Sequence, residues 1–212
     1  MNPQQNKPIE FRNMIRYLEK KDAVCKLITE RGTGTGFFCK FTVNGRIMKA
    51  LFTNNHVLNE NLIKENSIIE LRNKDEIKEL KITSNRFKCT NKELDYTCIQ
   101  ILDNEDYNNF LEIDDNIKCQ NPNVQYGNKL GVVYQFPDNQ DISCGEGFIE
   151  GIKKVNDNNI IIHKITTDKG ASGSPIVLSD NLKVIGVHCR RKNKDTNRGI
   201  YFKNILFDIQ KK

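Results

Sequence analysis

The chain of 212 residues alternates short apolar runs with polar turns, and the period of this alternation changes once, close to the N-terminus. Residues 9 to 20 place Phe11, Met14, Ile15 and Leu18 at helical spacing, which predicts a short amphipathic helix acting as a lid or a packing element. From residue 23 onward the pattern is typical of short strands separated by turns. Strands at this spacing indicate an all-β barrel or sandwich.

The predicted strands fall into two series. The first series contains AVCKLIT, TGFFCKFTV, IMKALFT, SIIELR, EIKELKI and DYTCIQI, and the second contains KLGVVYQF, DISCGEGFIEGI, NIIIHKIT, SPIVL, LKVIGVHC and GIYF. Residues 103 to 125 are acidic and rich in Asn with little periodicity, so they indicate a connection. We therefore expect an N-terminal extension (1–22), a first β unit (23–103), a connection (104–125) and a second β unit (126–212) with a helix near Asn204 to Gln210.

Composition places the chain among globular proteins, because 37% of its residues are hydrophobic and 28% are charged. No segment has the length or apolar character of a membrane span, and the N-terminus lacks the apolar region of a secretory signal. The pattern thus predicts a soluble, intracellular protein. The net charge of +6 is scattered, and the one dense run, Arg190, Arg191, Lys192 and Lys194, lacks interleaved aromatic residues. A solvated loop is therefore favoured over a nucleic-acid interface.

The seven cysteines are odd in number and contain no CxxC pair, which argues against a disulfide framework and against a zinc site. We expect reduced thiols, with Cys39, Cys98 and Cys189 as small core residues rather than nucleophiles. The GTGTG run at residues 32 to 36 lacks dinucleotide-binding spacing and is followed by β-forming residues. We expect neither a metal nor a cofactor.

Two segments supply a histidine and an aspartate of the kind used in nucleophilic catalysis. In LFTNNHVL, His56 emerges from a polar turn just beyond an apolar strand, a setting that suits a general base. In ELDYTCIQIL, Asp95 heads a β-forming run, where a buried carboxylate can accept the Nδ1 proton of a histidine. Taken singly, each is more often an ordinary surface, core or strand-capping residue.

The third segment, TTDKGASGSPIV, is the most specific of the three. Gly170 and Gly173 flank Ser172, so the backbone can turn tightly, expose the hydroxyl and aim the N–H groups of Gly170 and Ser172 at one point. Such a point is an oxyanion hole. Standing alone, the same residues also fit a turn between two strands.

In this order the three segments resemble the trypsin/chymotrypsin superfamily of serine peptidases, and especially its glutamyl endopeptidases. The matching motifs are Thr53 to His56, Asp95 followed by a short apolar strand, and Gly170 to Pro175, within a likeness that spans about residues 23 to 205. The resemblance implies two six-stranded antiparallel β-barrels. It also implies His56, Asp95 and Ser172 as a catalytic triad that hydrolyses a polypeptide substrate.

One departure from the superfamily pattern concerns activation. Ala171 precedes Ser172, where trypsin-type zymogens carry an Asp that pairs with a newly cut N-terminus. We therefore expect activity without trypsin-style processing.

The resemblance also locates a pocket for the residue before the scissile bond. It implies Thr166, Thr167, His188, Cys189, Arg190 and Arg191 as its lining. No Asp lies there, while Thr167 and His188 match the residues with which glutamyl endopeptidases hold an acidic side chain. His188 as a core histidine and Thr167 as a turn residue remain alternatives. Arg191 stands where a small residue is usual, so it either blocks the pocket or adds positive charge.

These observations favour an active serine endopeptidase with a preference for acidic residues before the scissile bond. The main alternative is a catalytically silent protease-like domain that binds a protein or peptide. The presence of all three motifs favours the active enzyme over the silent domain.

Overall fold

The computed structural model describes residues 11–30, 32–73, 76–138, 140–193 and 195–212. In these ranges the strands are β1 (Val24–Thr29), β2 (Gly32–Val43), β3 (Arg46–Thr53), β4 (Ile68–Asn73), β5 (Glu76–Lys81), β6 (Lys88–Asn91), β7 (Tyr96–Gln100), β8 (Leu111–Glu112), β9 (Leu130–Gln135), β10 (Ser143–Val155), β11 (Asn158–His163), β12 (Pro175–Leu178), β13 (Val184–Arg191) and β14 (Asn197–Tyr201). The α-helices are α1 (Phe11–Lys20), α2 (Pro122–Tyr126) and α3 (Phe202–Ile209), with a 3₁₀ turn at Lys21–Ala23.

The N-terminal half forms one sheet whose strands follow the order β5-β4-β1-β2-β3-β7-β6, with β8 parallel to β2. The β2–β3 hairpin turns through Asn44 and Gly45, whose φ angles of 49° and 74° suit a two-residue turn that matches strand twist. His56 follows β3 by three residues, and Asp95 directly precedes β7. Since β3 and β7 are paired neighbours, the sheet brings these two residues to the same end.

The C-terminal half forms a closed six-stranded barrel in the order β10-β11-β14-β13-β12-β9. All four residues of β12 are buried, as are the first six of β13. The loop that carries Ser172 enters β12, and His188 lies on β13, the strand paired with β12. The Ser172 loop is therefore attached to two buried and paired strands of the barrel.

One hydrophobic core runs through both halves, and a second smaller core lies within the N-terminal sheet. At the junction the ring of Phe52 on β3 packs edge-on against Phe202 of α3, with ring centroids 4.9 Å apart. Both side chains are fully buried, and each such burial stabilises the fold by about 1.5 to 3 kcal/mol. The C-terminal helix thereby joins the barrel to the strand that leads to His56.

The predicted all-β, chymotrypsin-like architecture with an N-terminal and a C-terminal helix is confirmed. The expectation of two six-stranded antiparallel barrels needs one refinement. Among the described strands the N-terminal half is an eight-stranded sheet, with β5 and β6 at the ends of its path and β8 parallel to β2. The C-terminal helix begins at Phe202 rather than near Asn204. Cys39, Cys98 and Cys189 are buried, and all seven cysteines are unpaired thiols.

The N-terminal helix is present but packs through a different face from the predicted apolar one. Met14, Ile15 and Leu18 are 45%, 60% and 53% exposed, whereas Tyr17 is buried. The Tyr17 hydroxyl donates to the Glu146 carboxylate and lies 2.7 Å from Ser179 Oγ. The helix is thus fixed to the barrel by a polar anchor. Residues 9 and 10 of the predicted helix lie outside the described residues, and none of the described helices has the length and apolar character to cross a membrane.

Candidate active site

His56 and Asp95 form the most direct contact of the site. His56 Nδ1 lies 2.9 Å from Asp95 Oδ2 and 3.0 Å from Oδ1, and the backbone N–H of His56 donates to Oδ1 at 3.0 Å. The His56 side chain is 48% exposed, and its other ring nitrogen makes no hydrogen bond to the described residues. Asp95 is 28% exposed rather than buried as expected. The carboxylate therefore fixes the imidazole while remaining partly in contact with solvent.

The turn that carries Asp95 is held from two sides. Asp95 itself has φ 54°, a left-handed conformation that Asp tolerates better than most residues. The side-chain amide of Asn54 donates to the Asp95 carbonyl at 2.9 Å. The next residue, Tyr96, donates its hydroxyl to Asp208 of α3 at 2.6 Å. The carboxylate thus sits on a turn anchored to β3 and to the C-terminal helix.

The Ser172 loop requires glycine at two positions. Gly170 and Gly173 have φ angles of 98° and 89°, which side chains rarely adopt. A β-carbon at Gly173 would lie 2.1 Å from the Thr35 carbonyl oxygen and 2.2 Å from Thr53 Oγ1. The glycine therefore lets the loop of the barrel approach the backbone of the N-terminal sheet.

Two backbone amides of this loop are the candidate donors of an oxyanion hole. The Lys169 carbonyl accepts from the Asp138 N–H at 2.9 Å, and because the peptide is planar and trans, the Gly170 N–H points the opposite way. Within the described part of the chain, neither the Gly170 N–H nor the Ser172 N–H donates to a protein acceptor. Two unused donors beside a hydroxyl are what an oxyanion hole requires.

The Ser172 hydroxyl is hydrogen-bonded to a residue other than His56. It donates to the carbonyl of Cys189 at 3.0 Å, and no hydrogen bond joins it to His56 among the described residues. The segments that carry the two residues are nevertheless adjacent. A β-carbon at Gly34 would lie 2.6 Å from Val57 Cγ1 and 3.3 Å from the Ser172 carbonyl oxygen. Catalytic hydrogen bonds are often long or poorly aligned until substrate binds, so the adjacency of the two segments is the informative observation.

His188 forms a buried pair with His163, a residue that the sequence analysis did not single out. His163 Nε2 lies 3.2 Å from His188 Nδ1, and the Ile165 N–H donates to His163 Nδ1 at 3.3 Å. Burial, and then the neighbouring imidazole, hold the pKa of His163 well below its usual range. Burial, and then the charge of His56, lower the pKa of His188 to about 4. Both rings are neutral at neutral pH.

This neutrality fixes the tautomers. Because His163 Nδ1 accepts from a backbone N–H, its proton lies on Nε2 and is donated to His188 Nδ1. The proton of His188 then lies on Nε2, which has no acceptor within the described ranges. His188 therefore presents a single N–H donor.

The other residues predicted to line the pocket differ in their burial and in their contacts. Thr167 is buried, but it makes no hydrogen bond to His188 in the described part of the molecule, and Thr166 is exposed. Arg190 and Arg191 are exposed at the end of β13. The Cys189 thiol is buried, and burial followed by the charge of Asp95 raises its pKa to about 12, so this thiol is not a nucleophile.

The fold is shared with solved protease structures. The Rv3671c protease from M. tuberculosis in its active form is 14% identical, with a TM-score of 0.69 over 97% of this chain and 86% of that chain. The serine endoprotease from Yersinia pestis is 15% identical, with a TM-score of 0.69 over 97% of this chain and 67% of that chain. The serine protease of a human pathogenic astrovirus is 19% identical, with a TM-score of 0.56 over 86% and 90%.

Comparison of the sequence with curated proteins gives no significant match. The family model described as a trypsin-like peptidase domain does match, over residues 34–187. That segment covers more than half of the chain, and it runs from β2 to β13, so it includes His56, Asp95 and Ser172. The chain therefore belongs to the trypsin-like peptidase family and is a serine-type peptidase.

Proposed function

We propose that this peptidase is an endopeptidase that cleaves polypeptides through an acyl-enzyme on Ser172, with His56 as the base and Asp95 as its orienting carboxylate. The observation that carries the proposal is the double contact between Asp95 and His56 Nδ1, at 2.9 and 3.0 Å. It leaves the opposite ring nitrogen of His56 as the acceptor that a serine hydroxyl needs. The unused N–H groups of Gly170 and Ser172 support the same assignment.

In the proposed mechanism the Ser172 hydroxyl leaves the Cys189 carbonyl and turns to His56. The Ser172 oxygen attacks the peptide carbonyl carbon while its proton passes to His56 Nε2, and the carbonyl oxygen gains negative charge between the two free amides. His56 then returns the proton to the leaving amine as the C–N bond breaks. Water hydrolyses the acyl-enzyme by the same steps, and Asp95 stabilises the charged imidazole throughout.

A catalytically silent, peptide-binding domain is the second candidate. The observation that favours it is the Ser172 hydroxyl, which is bonded to Cys189 rather than to His56. A fluorophosphonate probe separates the two functions, because it labels a serine only where a base and an oxyanion hole activate it.

We predict that the 212-residue chain reacts with this probe without proteolytic trimming. The reason is that Ala171 offers no carboxylate for a new N-terminus, while the Gly170 and Ser172 amides already lack a protein acceptor in the part of the chain that the structure describes. Labelling is measured on the intact chain by mass, with Ser172→Ala as the control that must stay unlabelled. A chain that reacts only after its N-terminus has been cut would contradict this expectation, and a trimmed chain that also stays inert would support the silent domain.

We further propose a preference for Glu before the scissile bond. Support comes from His188, whose partner His163 fixes the tautomer so that the Nε2 N–H is available to a substrate oxygen. The exposed Arg190 and Arg191 add positive charge at the end of the same strand. A carboxylate accepts such a donor more strongly than a neutral amide does.

We predict that a peptide with Glu at this position is cleaved about tenfold or more faster, in kcat/KM, than its Gln counterpart. The charged acceptor makes a hydrogen bond worth about 1.5 to 3 kcal/mol, against about 0.5 to 1.5 for a neutral one. His188→Ala should narrow this ratio more than it slows cleavage of the Gln peptide. The measurement is a matched pair of fluorogenic peptides assayed with each enzyme.

Arg191→Ala is the comparison variant for this prediction. If the positive charge that favours Glu comes from the exposed arginines, Arg191→Ala should narrow the ratio of kcat/KM between the Glu and Gln peptides. His188→Ala should then leave that ratio unchanged. Cleavage after Lys, Arg or large apolar residues with no acidic preference would show that His188 is only a core residue.

A further inference from the structure

Thr35, on β2 of the N-terminal sheet, is fully buried and bonded through all of its polar groups. Its N–H donates to the Ser172 carbonyl at 2.8 Å, and its hydroxyl donates to the Gly170 carbonyl at 2.8 Å. The Thr35 hydroxyl also accepts from the Phe136 N–H at 3.0 Å, and the Thr35 carbonyl accepts from Thr53 Oγ1 at 2.8 Å. One residue of the first half therefore holds the Ser172 loop of the second.

The two carbonyls that Thr35 holds lie on either side of the Ser172 amide. Because each peptide unit is planar and trans, a fixed carbonyl fixes the plane in which the following N–H lies. Thr35 thus immobilises the peptide after Gly170 and the peptide after Ser172. The Ser172 N–H lies between them, and the Gly170 N–H precedes them directly.

We propose that the Thr35 hydroxyl is a positioning group for the oxyanion donors of this enzyme. The inference rests on the proposed role of Ser172 as nucleophile. Preorganised donors stabilise the charge that develops in the transition state only if they already point at it, and each donor contributes about 100- to 1000-fold in kcat. Within the described residues, the Gly170 carbonyl has no donor other than the Thr35 hydroxyl.

Substitution of the Thr35 side chain tests the hydroxyl separately from the backbone hydrogen bond between Thr35 and Ser172. Every replacement except proline keeps the Thr35 N–H, and with it the bond to the Ser172 carbonyl. Thr35→Val preserves the shape and removes the hydroxyl, whereas Thr35→Ser keeps the hydroxyl and removes the methyl. If the buried Phe136 N–H and Gly170 carbonyl prevent Thr35→Val from folding, Thr35→Ala leaves room for a water to bond them.

We expect Thr35→Val and Thr35→Ala to lower kcat about tenfold to 100-fold with KM changed less than about twofold, because transition-state binding is lost and substrate binding is not. A peptide aldehyde, which adds reversibly to Ser172 and places its oxygen at the two amides, should lose affinity by a similar factor. The cleaved peptide product should bind as before. Thr35→Ser should restore kcat to within about threefold of the wild type.

Tyr201→Phe is the matched control, since it also deletes one buried hydroxyl bonded to a backbone carbonyl, that of Ile117 at 2.6 Å, away from the Ser172 loop. It should lower the melting temperature without changing kcat. Equal kcat and aldehyde affinity in wild type, Thr35→Val and Thr35→Ala would overturn the role of Thr35. An inert wild-type enzyme would instead refute the function of Ser172, so the two failures are distinguishable.

Discussion

Ser172→Ala is expected to lower kcat by about 10,000-fold or more while the protein stays folded. The substitution removes the oxygen that attacks the substrate, and among the described residues the half-buried side chain is hydrogen-bonded to Cys189 alone. Residual turnover comes from the two free amides alone. The measurement is hydrolysis of a quenched fluorescent peptide, with the melting temperature as the check on folding.

Ser174→Ala is the control, because Ser174 stands two residues away in the same loop and its buried hydroxyl has no hydrogen-bond partner in the described part of the structure. It should keep wild-type turnover. His56→Ala should lose about as much activity as Ser172→Ala, and the double variant little more, since the two residues act as a unit. Equal hydrolysis by wild type and Ser172→Ala would remove Ser172 as the nucleophile.

Much of the fold could be predicted because most strands can be recognised from the hydrophobic pattern of their own residues. Runs such as SIIELR alternate between the two faces of the sheet, with Ile69 and Leu71 buried and Ile68 and Arg72 exposed, and this pattern can be recognised without knowledge of the partner strand. The β6 strand, KCTN, has little such signal, and it forms because Cys89 and its neighbours pair with Cys98 on β7. The face of α1 was equally unpredictable, because the polar bond between Tyr17 and Glu146 joins residues far apart in sequence.

The residues of the candidate site also fall into those that local sequence predicts and those that depend on contacts between distant strands. His56, Asp95 and Ser172 stand in short motifs, so local sequence sufficed to single them out. The contact of His163 with His188 arises from the order of strands in the barrel, where both β11 and β13 pair with β14. A histidine at the end of an apolar strand, as in NIIIH, was the one available signal for it. The hydrogen bonds of the Thr35 hydroxyl join the two halves of the molecule, so no short sequence motif predicts them.

The second large effect is expected at the carboxylate that orients His56. In Asp95→Asn the side chain keeps its shape, but its amide can turn an N–H toward His56 Nδ1, which then becomes an acceptor. His56 would carry its proton on Nε2, the nitrogen that must receive the proton of Ser172. The imidazolium formed during attack would also lose its countercharge.

We therefore expect Asp95→Asn to lower kcat about 10,000-fold near neutral pH, with a melting temperature close to that of the wild type. The measurement is peptide hydrolysis at saturating substrate, beside the same assay of Glu93→Gln. Glu93 is an exposed carboxylate on the same turn and has no hydrogen bond or ion pair with His56 in the described structure, so Glu93→Gln removes one negative charge and should keep full activity. If Asp95→Asn retains a tenth or more of the wild-type kcat, the tautomer of His56 does not depend on Asp95. If both variants lose activity equally, the effect is one of local charge rather than of orientation.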